Sequence, residues 1–368
     1  MSTHAIKWWS GLALGGALLA GCGTTAPTSQ APATKSPTAV AEASTPVTLL
    51  ETGSTLLYPL FQKWVPVWEA SHKNITITPA GTGSGTGIAQ ALAGTVQIGA
   101  SDAYMSSAEM KPGILNIPLA ISAQVIGYNL PGLNGRHLDL SGPILAGIYT
   151  GKITNWDAPQ IQAANPGVPL PNHPIIPVRR SDSSGDSFLF TQYLTKSAPG
   201  SWTVGYATAP AWPAVSSEAS AVGNGGMVQF LHANPYAVAY VGISYLNQME
   251  SDGLGYGALK NPSGHYVLPT SQNIVSAASA MVPQTPADER ISLIDAPGQS
   301  AYPIINYEYA IVQENQPSVT TANALKAFLS WAISPNGGNQ SQFLNAVHFM
   351  PLPPSVVQLS QKQINEIH

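Results

Sequence analysis

The chain has 368 residues, which is long enough for two domains with substantial hydrophobic cores. Only 9% of the residues are Asp, Glu, Lys or Arg, and the formal net charge of −4 argues against a nucleic-acid partner. The 34 glycines and 32 prolines indicate a globular protein rich in loops, and the single cysteine excludes an intrachain disulfide.

The N-terminal residues have the pattern of a secretory targeting segment. Lys7 precedes a short apolar run at residues 11–20, and the run ends in Leu19-Ala20-Gly21-Cys22. This ending resembles the lipobox of bacterial lipoproteins, which implies cleavage before Cys22 and a lipid on its sulfur. An ordinary signal peptide with a free cysteine is the alternative. Residues 1–22 are thus predicted to be a lipoprotein signal peptide, and residues 23–46, rich in Thr, Ala, Ser and Pro, an extended tether.

The chain after the tether twice repeats the order strand, glycine-containing loop, helix. A predicted strand at 47–50 leads through Gly53-Ser54-Thr55 into a helical pattern at 61–68. A second strand leads through the glycine-rich loop 81–87 into an amphipathic segment at 88–96. The glycine-rich loop is neither a P-loop nor a dinucleotide-binding pattern. Its alternate glycines allow several backbone N–H groups to approach a ligand, and a plain flexible turn is the alternative.

A carboxylate and a pair of arginines stand at two further strand ends. Asp102 follows a short strand, and Arg179-Arg180 closes the apolar run 174–178. The Ser- and Asp-rich loop 181–187 then leads into a helical pattern that begins at Phe188. A helix N-terminus offers unpaired N–H groups, and a guanidinium beside it suits phosphate or carboxylate oxygens. This stretch predicts an anion site; a surface loop before an N-capped helix is the alternative.

The rest of the chain continues the alternation of short strands and helices. Strands are predicted at 117–128, 236–245 and 304–312, and helical faces at 144–149 and 325–332. This order predicts an α/β fold with ligand-binding loops at the carboxyl ends of strands.

The residues of an enzyme are not evident in the sequence. The eight histidines are scattered, with no pair within four positions, and no Gly-x-Ser-x-Gly elbow occurs. We therefore predict no metal, no cofactor and no catalysis, with a phosphatase-like enzyme as a remote alternative.

Asp102 is a negatively charged residue in a site that is predicted to bind an anion. Three converging loops would surround a small tetrahedral oxyanion with hydroxyl and N–H donors. A carboxylate facing that anion is costly unless the anion carries a proton that it can donate. Phosphate near neutral pH carries such a proton and sulfate does not. The hypothesis is that Asp102 rejects sulfate more than it attracts phosphate.

Many segments of the chain, in one order, resemble the phosphate-binding proteins of Pst-type ABC importers, most closely the lipoprotein branch of the actinobacteria. The segments are 53–64, 81–88, 99–102, 148–156, 177–188, 223–226 and 303–312. The resemblance implies a type II periplasmic-binding-protein fold, in which two α/β lobes are joined by a hinge that the chain crosses twice. We place the crossings near 126–128 and 302–304. Lobe I is then 47–126 plus 304–368, and lobe II is 127–303.

The resemblance also implies a set of phosphate ligands. They fall on Thr55, Leu56, Ser84, Asp102, Arg180, Ser184, Gly185 and Asp186. Leu56 stands where many members of the family have Phe, and Asp186 where many have Thr. Asp186 either pairs with an arginine, Arg180 or Arg179, or is a second acceptor for a more protonated phosphate. We favour the pairing with an arginine. Asp182 is expected to position Arg180 rather than to touch the ligand.

The same resemblance implies the function. It predicts a monomer, lipid-anchored at the extracytoplasmic face of the membrane, that binds inorganic phosphate (HPO₄²⁻ or H₂PO₄⁻) and delivers it to an ABC permease. Binding of another oxyanion, such as sulfate, molybdate or arsenate, is the alternative.

Overall fold

The computed structural model describes residues 45–368. The predicted signal peptide, Cys22 and nearly all of the tether lie outside this range. The described chain contains twelve strands: β1 (Val47–Gly53), β2 (Ile75–Thr78), β3 (Ile98–Ser101), β4 (Ile114–Tyr128), β5 (Asp139–Leu140), β6 (Ile176–Arg180), β7 (Ala219–Ala221), β8 (Ala237–Gly242), β9 (Gly255–Tyr256), β10 (Ala258–Lys260), β11 (Tyr266–Val267) and β12 (Ile305–Gln313).

Helices alternate with most of these strands, as the sequence predicts for an α/β protein. The described α-helices are α1 (Tyr58–Ser71), α2 (Ser84–Leu92), α3 (Gly142–Tyr149), α4 (Pro159–Ala164), α5 (Gly185–Ser197), α6 (Gly223–Ala233), α7 (Leu246–Ser251), α8 (Ser271–Met281), α9 (Val319–Ile333), α10 (Ser341–Leu344) and α11 (Pro354–Glu366). None of the helices in residues 45–368 combines the length and apolar character that a membrane span requires.

One mixed nine-stranded sheet organises the fold. Its strand order is β2-β1-β3-β12-β4-β8-β6-β7, with β9 paired to β4. β1 runs parallel to β2 and β3, and β6 runs parallel to β7 and β8. These two parallel groups are joined by the antiparallel strands β12 and β4. A small second sheet has the order β11-β10-β5.

Strand β4 connects the two parallel groups. All of its 15 residues are buried. It pairs with β12 up to Ala123 and with β8 from Gln124 onward. This change of partner lies a few residues before the crossing predicted at 126–128, and β12 begins just after the crossing predicted at 302–304. The hinge and the two lobe boundaries remain predictions.

Helix α1 shows how the apolar spacing builds the core. Phe61, Trp64 and Trp68 lie three and four residues apart, so they share one helix face. That face packs on α9, where the Phe328 ring lies 5.9 Å from the ring of Phe61 and 5.6 Å from that of Trp68. Contrary to the usual effect of proline, the helix continues through Pro66 to Ser71.

Two helices differ from the sequence prediction. α2 begins at Ser84, inside the glycine-rich loop, rather than at Ile88. Its first turn consists of small residues that follow Gly83, whose φ of 97° suits glycine. The helical face predicted at 325–332 lies within α9, and the two helices that follow it, α10 and α11, were not predicted.

Candidate anion-binding site

The predicted loops meet at one edge of the sheet. β1 and β3 are parallel neighbours, so the loop after Gly53 and the residue Asp102 lie side by side. The loop after β6 reaches them from the other parallel group, where the Gly85 N–H donates to the Ser183 carbonyl oxygen (3.1 Å). Carboxyl ends of parallel strands are the usual place for a ligand in such folds.

Asp102 is buried at the centre of this cluster, with 2% of its surface exposed. The hydroxyl of Ser54 donates to its Oδ1, and that of Ser84 donates to its Oδ2 (3.2 Å). Burial and the negative charge of Asp186 raise the pKa of Asp102 to about 7, against the opposing effects of Ser54, Glu308 and Arg180. The carboxyl group therefore exchanges its proton near neutral pH.

Gly185 brings the N-terminus of α5 against Asp102. A Cβ at this position would lie 2.4 Å from Asp102 Oδ2 and 2.5 Å from Ser84 Oγ, closer than van der Waals contact allows. Only glycine permits this approach. Ser184 is the N-cap of α5, and its Oγ accepts a hydrogen bond from the Ser187 N–H (3.4 Å).

Arg180 supplies the positive charge of the cluster. Its Nε and Nη2 donate to the two oxygens of Asp182, and its Nη1 donates to Asp186 Oδ2 (2.7 Å). These contacts use three of the five N–H donors of the guanidinium, so two remain for a ligand among the described contacts. Burial opposes the charged form, but Asp182 and Asp186 hold the pKa of Arg180 above its usual value. Asp182 thus positions Arg180, as the sequence predicts.

Asp186 pairs with Arg180, one of the two partners that the sequence left open. Arg179 turns away and pairs with Glu218 (3.1 Å). Asp186 Oδ1 also accepts from Gln124 Nε2 (3.2 Å) and its Oδ2 from Asn224 Nδ2 (2.7 Å). Burial raises the pKa of Asp186, and the charge of Arg180 lowers it.

Thr55 and Leu56 contact residues that follow β7 and β8, on the other side of the cluster. Thr55 Oγ1 accepts hydrogen bonds from the backbone N–H of Asn224 (3.2 Å) and from its Nδ2 (3.0 Å). The Leu56 carbonyl oxygen accepts from Ser244 Oγ (2.7 Å). Asn224 therefore links Thr55, which follows β1, to Asp186 at the start of α5.

Four polar side chains of the cluster were not predicted from the sequence. Ser54 and Asn224 lie in loops that the sequence singled out, but nothing in the pattern separates them from their neighbours. Gln124 lies in a strand that is mostly apolar. Glu308 carried a usable signal, because it is the only charged residue of β12. Within residues 45–368, no group of three or more His, Cys, Asp or Glu side chains could hold a metal ion.

Comparisons with known proteins show which family the chain is similar to. A family model described as a PBP superfamily domain matches residues 38–336. The phosphate-binding protein PstS of Xylella fastidiosa is 33% identical over 319 residues, which cover 86% of this chain and 85% of that protein. The phosphate-binding protein PstS 3 of Mycobacterium leprae is 29% identical over 356 residues, which cover 94% of each chain.

A solved structure shares the fold. The phosphate-binding protein from Stenotrophomonas maltophilia has a TM-score of 0.63 and 21% sequence identity, and the match covers 86% of this chain and 93% of that one. At this identity the likeness shows the fold alone, which is that of the periplasmic binding proteins.

Proposed function

The chain belongs to the PstS-type phosphate-binding proteins, within the periplasmic-binding-protein superfamily, and we propose that it binds inorganic phosphate between its two lobes and passes it to an ABC permease. The observation that carries the proposal is Asp102, a buried carboxyl group inside a cluster of hydrogen-bond donors. Its proposed phosphate-binding partners are Thr55, Leu56, Ser84, Arg180, Ser184, Gly185 and Asp186.

Asp102 selects for a ligand that shares a proton with it. Its pKa of about 7 lies in the pH range where inorganic phosphate also exchanges a proton between HPO₄²⁻ and H₂PO₄⁻. One proton can then lie between the carboxyl group and a phosphate oxygen, where a charge-assisted hydrogen bond is strong. Sulfate brings no proton, so it meets an ionised Asp102 as an unpaired acceptor above pH 7 and is rejected.

Calorimetric titration with phosphate and with sulfate tests this function. We expect phosphate to bind without turnover, and we expect its advantage over sulfate to be larger at about pH 8 than at about pH 6. Asp102 is ionised on the alkaline side of its pKa and protonated on the acidic side, where it can donate a hydrogen bond to sulfate. Equal affinity for the two anions at about pH 8 would contradict the proposal.

The D102N variant isolates the carboxyl group. An amide of the same shape can donate to sulfate at every pH, so we expect the phosphate-over-sulfate affinity ratio to fall by about tenfold or more and to lose its pH dependence. The melting temperature shows whether the variant is folded. An unchanged ratio in a folded D102N protein would remove Asp102 from the selectivity mechanism.

Delivery to a permease requires two states that differ in ligand contact. Hydrogen bonds link predicted lobe II to predicted lobe I. Asn224 donates to Thr55, and the Gly85 N–H donates to the Ser183 carbonyl oxygen. A phosphate held by donors from both sides would stabilise closure through contacts that an open form lacks. The proposed partner is the permease of a phosphate importer, and the protein acts as a monomer.

The proposed location is the outer face of the cell membrane, through a lipid on Cys22. The support is the Leu-Ala-Gly-Cys ending of the predicted signal peptide. We expect C22S to move the protein from the membrane fraction to the medium, because two acyl chains provide the anchoring energy and the variant cannot carry them. Membrane retention of C22S, measured by fractionation, would contradict the anchor.

A further inference from the structure

Glu308 lies behind Asp102 and has no role in the function proposed so far. It occupies the middle of β12, is fully buried, and has no cation among its hydrogen-bond partners in the described chain. Asn306 reaches both acidic residues, because its Nδ2 donates to Glu308 Oε1 (2.9 Å) and to the Asp102 carbonyl oxygen (3.3 Å). β12 pairs antiparallel with β3, and Tyr309 lies opposite Ser101, so Glu308 lies opposite Asp102, where the side chains of two strands are close neighbours.

The hydrogen bonds of Glu308 distinguish its two oxygens. Oε1 accepts from Asn306 Nδ2 (2.9 Å) and lies 2.5 Å from Ser122 Oγ, whose single proton is shared between Oε1 and Asn306 Oδ1 (2.6 Å). Oε2 is buried without a donor from any residue in the described range. An ionised oxygen in that position would be an unpaired buried charge, whereas a hydroxyl there can donate to the neighbouring acceptor. The acidic side chain opposite Glu308 on the neighbouring strand is that of Asp102.

Charge balance in the cluster favours the same assignment. Arg180 is the one guanidinium facing the acids, and it already contacts Asp182 and Asp186. The negative charge of Asp186 on α5 raises the pKa of Asp102, and the positive charge of Arg180 on β6 lowers it. Burial and the charge of Asp102 raise the pKa of Glu308 well above its usual value, and in turn Glu308 lowers that of Asp102.

We propose that Glu308 is a positioning residue for anion selectivity: as a neutral carboxylic acid it donates a hydrogen bond from Oε2 to Asp102 and so keeps Asp102 available as the ionised acceptor. The proposal rests on the phosphate-binding function, because it concerns how the same site tells phosphate from sulfate. Without this donor Asp102 would hold its own proton more tightly and could donate it to sulfate.

Two substitutions at Glu308 separate its hydrogen bond from its charge. Gln reproduces the neutral acid, with an oxygen for Ser122 and Asn306 and an N–H for Asp102. We expect E308Q to keep the phosphate-over-sulfate affinity ratio of the wild type within about threefold at about pH 7. Ala removes the donor, and we expect E308A to lower that ratio by about tenfold, which corresponds to a rise of about one unit in the pKa of Asp102.

Ser122 provides the matched control. S122A removes a partner of Glu308 Oε1 and disturbs the same packing, but it leaves the donor to Asp102, so the ratio should not change. A second measurement is independent of binding: the infrared spectrum of the wild type should contain a carboxylic-acid C=O band that E308Q lacks. This band decides the matter if E308A does not fold.

The possible outcomes separate the two proposals. A wild-type protein that does not bind phosphate contradicts the proposed function itself. If the wild type binds phosphate but E308Q changes the ratio as much as E308A does, or E308A leaves it unchanged, Glu308 has no positioning role. A difference spectrum, wild type minus E308Q, that contains no carboxylic-acid band would show an ionised Glu308 and would overturn the inference as well.

Discussion

The R180A variant should lose most of its affinity for phosphate. The guanidinium is 3% exposed and holds Asp182 and Asp186 on its Nε, Nη1 and Nη2 atoms. Its removal deletes two proposed ligand donors and leaves the ligand facing uncompensated acids. Truncation of one partner of a buried charge pair costs about 2–5 kcal/mol of binding free energy, so we expect Kd to rise by roughly a thousandfold. Isothermal titration measures this change.

Arg179 is the control for the loss of a positive charge. It is adjacent in sequence, but it pairs with the partly exposed Glu218 on the other side of β6. Because exposed pairs contribute about 0–1 kcal/mol, R179A should leave Kd and the melting temperature nearly unchanged. R180A should also reduce stability by about 3–5 kcal/mol, since the buried Asp186 and the half-buried Asp182 lose their counter-charge. A stability loss without a change in Kd would mean that Arg180 is structural only.

The sequence predicted the loops of the candidate site because each one follows a strand and carries residues with few alternative uses. Consecutive arginines are unusual in a chain with 14 Lys and Arg residues, and they directed attention to Arg180. Asp182 and Asp186 stand two and six residues further on, within reach of one guanidinium once α5 begins at Gly185. The family resemblance drew attention to Asp182 and Asp186, and this spacing allowed the Arg180–Asp182 contact and named Arg180 as one of two candidate partners for Asp186.

Contacts between distant segments could not be predicted in this way. Asn224 lies 169 residues from Thr55 and 38 from Asp186, and it joins them only because the sheet places α6 beside both loops. Glu308 meets Asp102 because β12 pairs antiparallel with β3, a register that no local pattern encodes. The boundaries of α2 were wrong for a related reason, since its first turn is built from glycines that propensity assigns to a loop.

The stability of the protein should fall as the pH rises from about 5 to about 8, contrary to the common behaviour of proteins with ion-paired acids. Glu51 and Glu289 are buried, and burial raises the pKa of each to about 8, against hydrogen bonds that lower it. In the unfolded chain a glutamate titrates near 4.3, roughly four units lower. The folded state therefore binds more protons across this interval, so the stabilisation is complete below the unfolded pKa and is lost as the pH approaches about 8.

The size of the effect follows from the number of protons. Each fully protonated buried acid changes the unfolding free energy by about 1.4 kcal/mol per pH unit, so two acids give a loss on the order of 7 kcal/mol between about pH 5 and about pH 8. Denaturant unfolding at several pH values measures it. The E51Q and E289Q variants lack one of these ionisable groups each. Each should reduce the dependence of the unfolding free energy on pH by up to the equivalent of one proton, and each should stabilise the protein at about pH 8.

Glu51 and Glu289 provide an internal comparison, because their partners differ. Glu289 accepts hydrogen bonds from Ser360 Oγ (3.0 Å) and Gln363 Nε2 (2.6 Å), whereas Glu51 Oε1 has no partner within the described residues. An amide at position 51 breaks few hydrogen bonds, so E51Q should raise the unfolding free energy at about pH 8 more than E289Q does. The same substitution at the exposed Glu366 is the control and should leave the slope unchanged. A stability that rises from about pH 5 to about pH 8 would show that these acids are ionised in the folded protein.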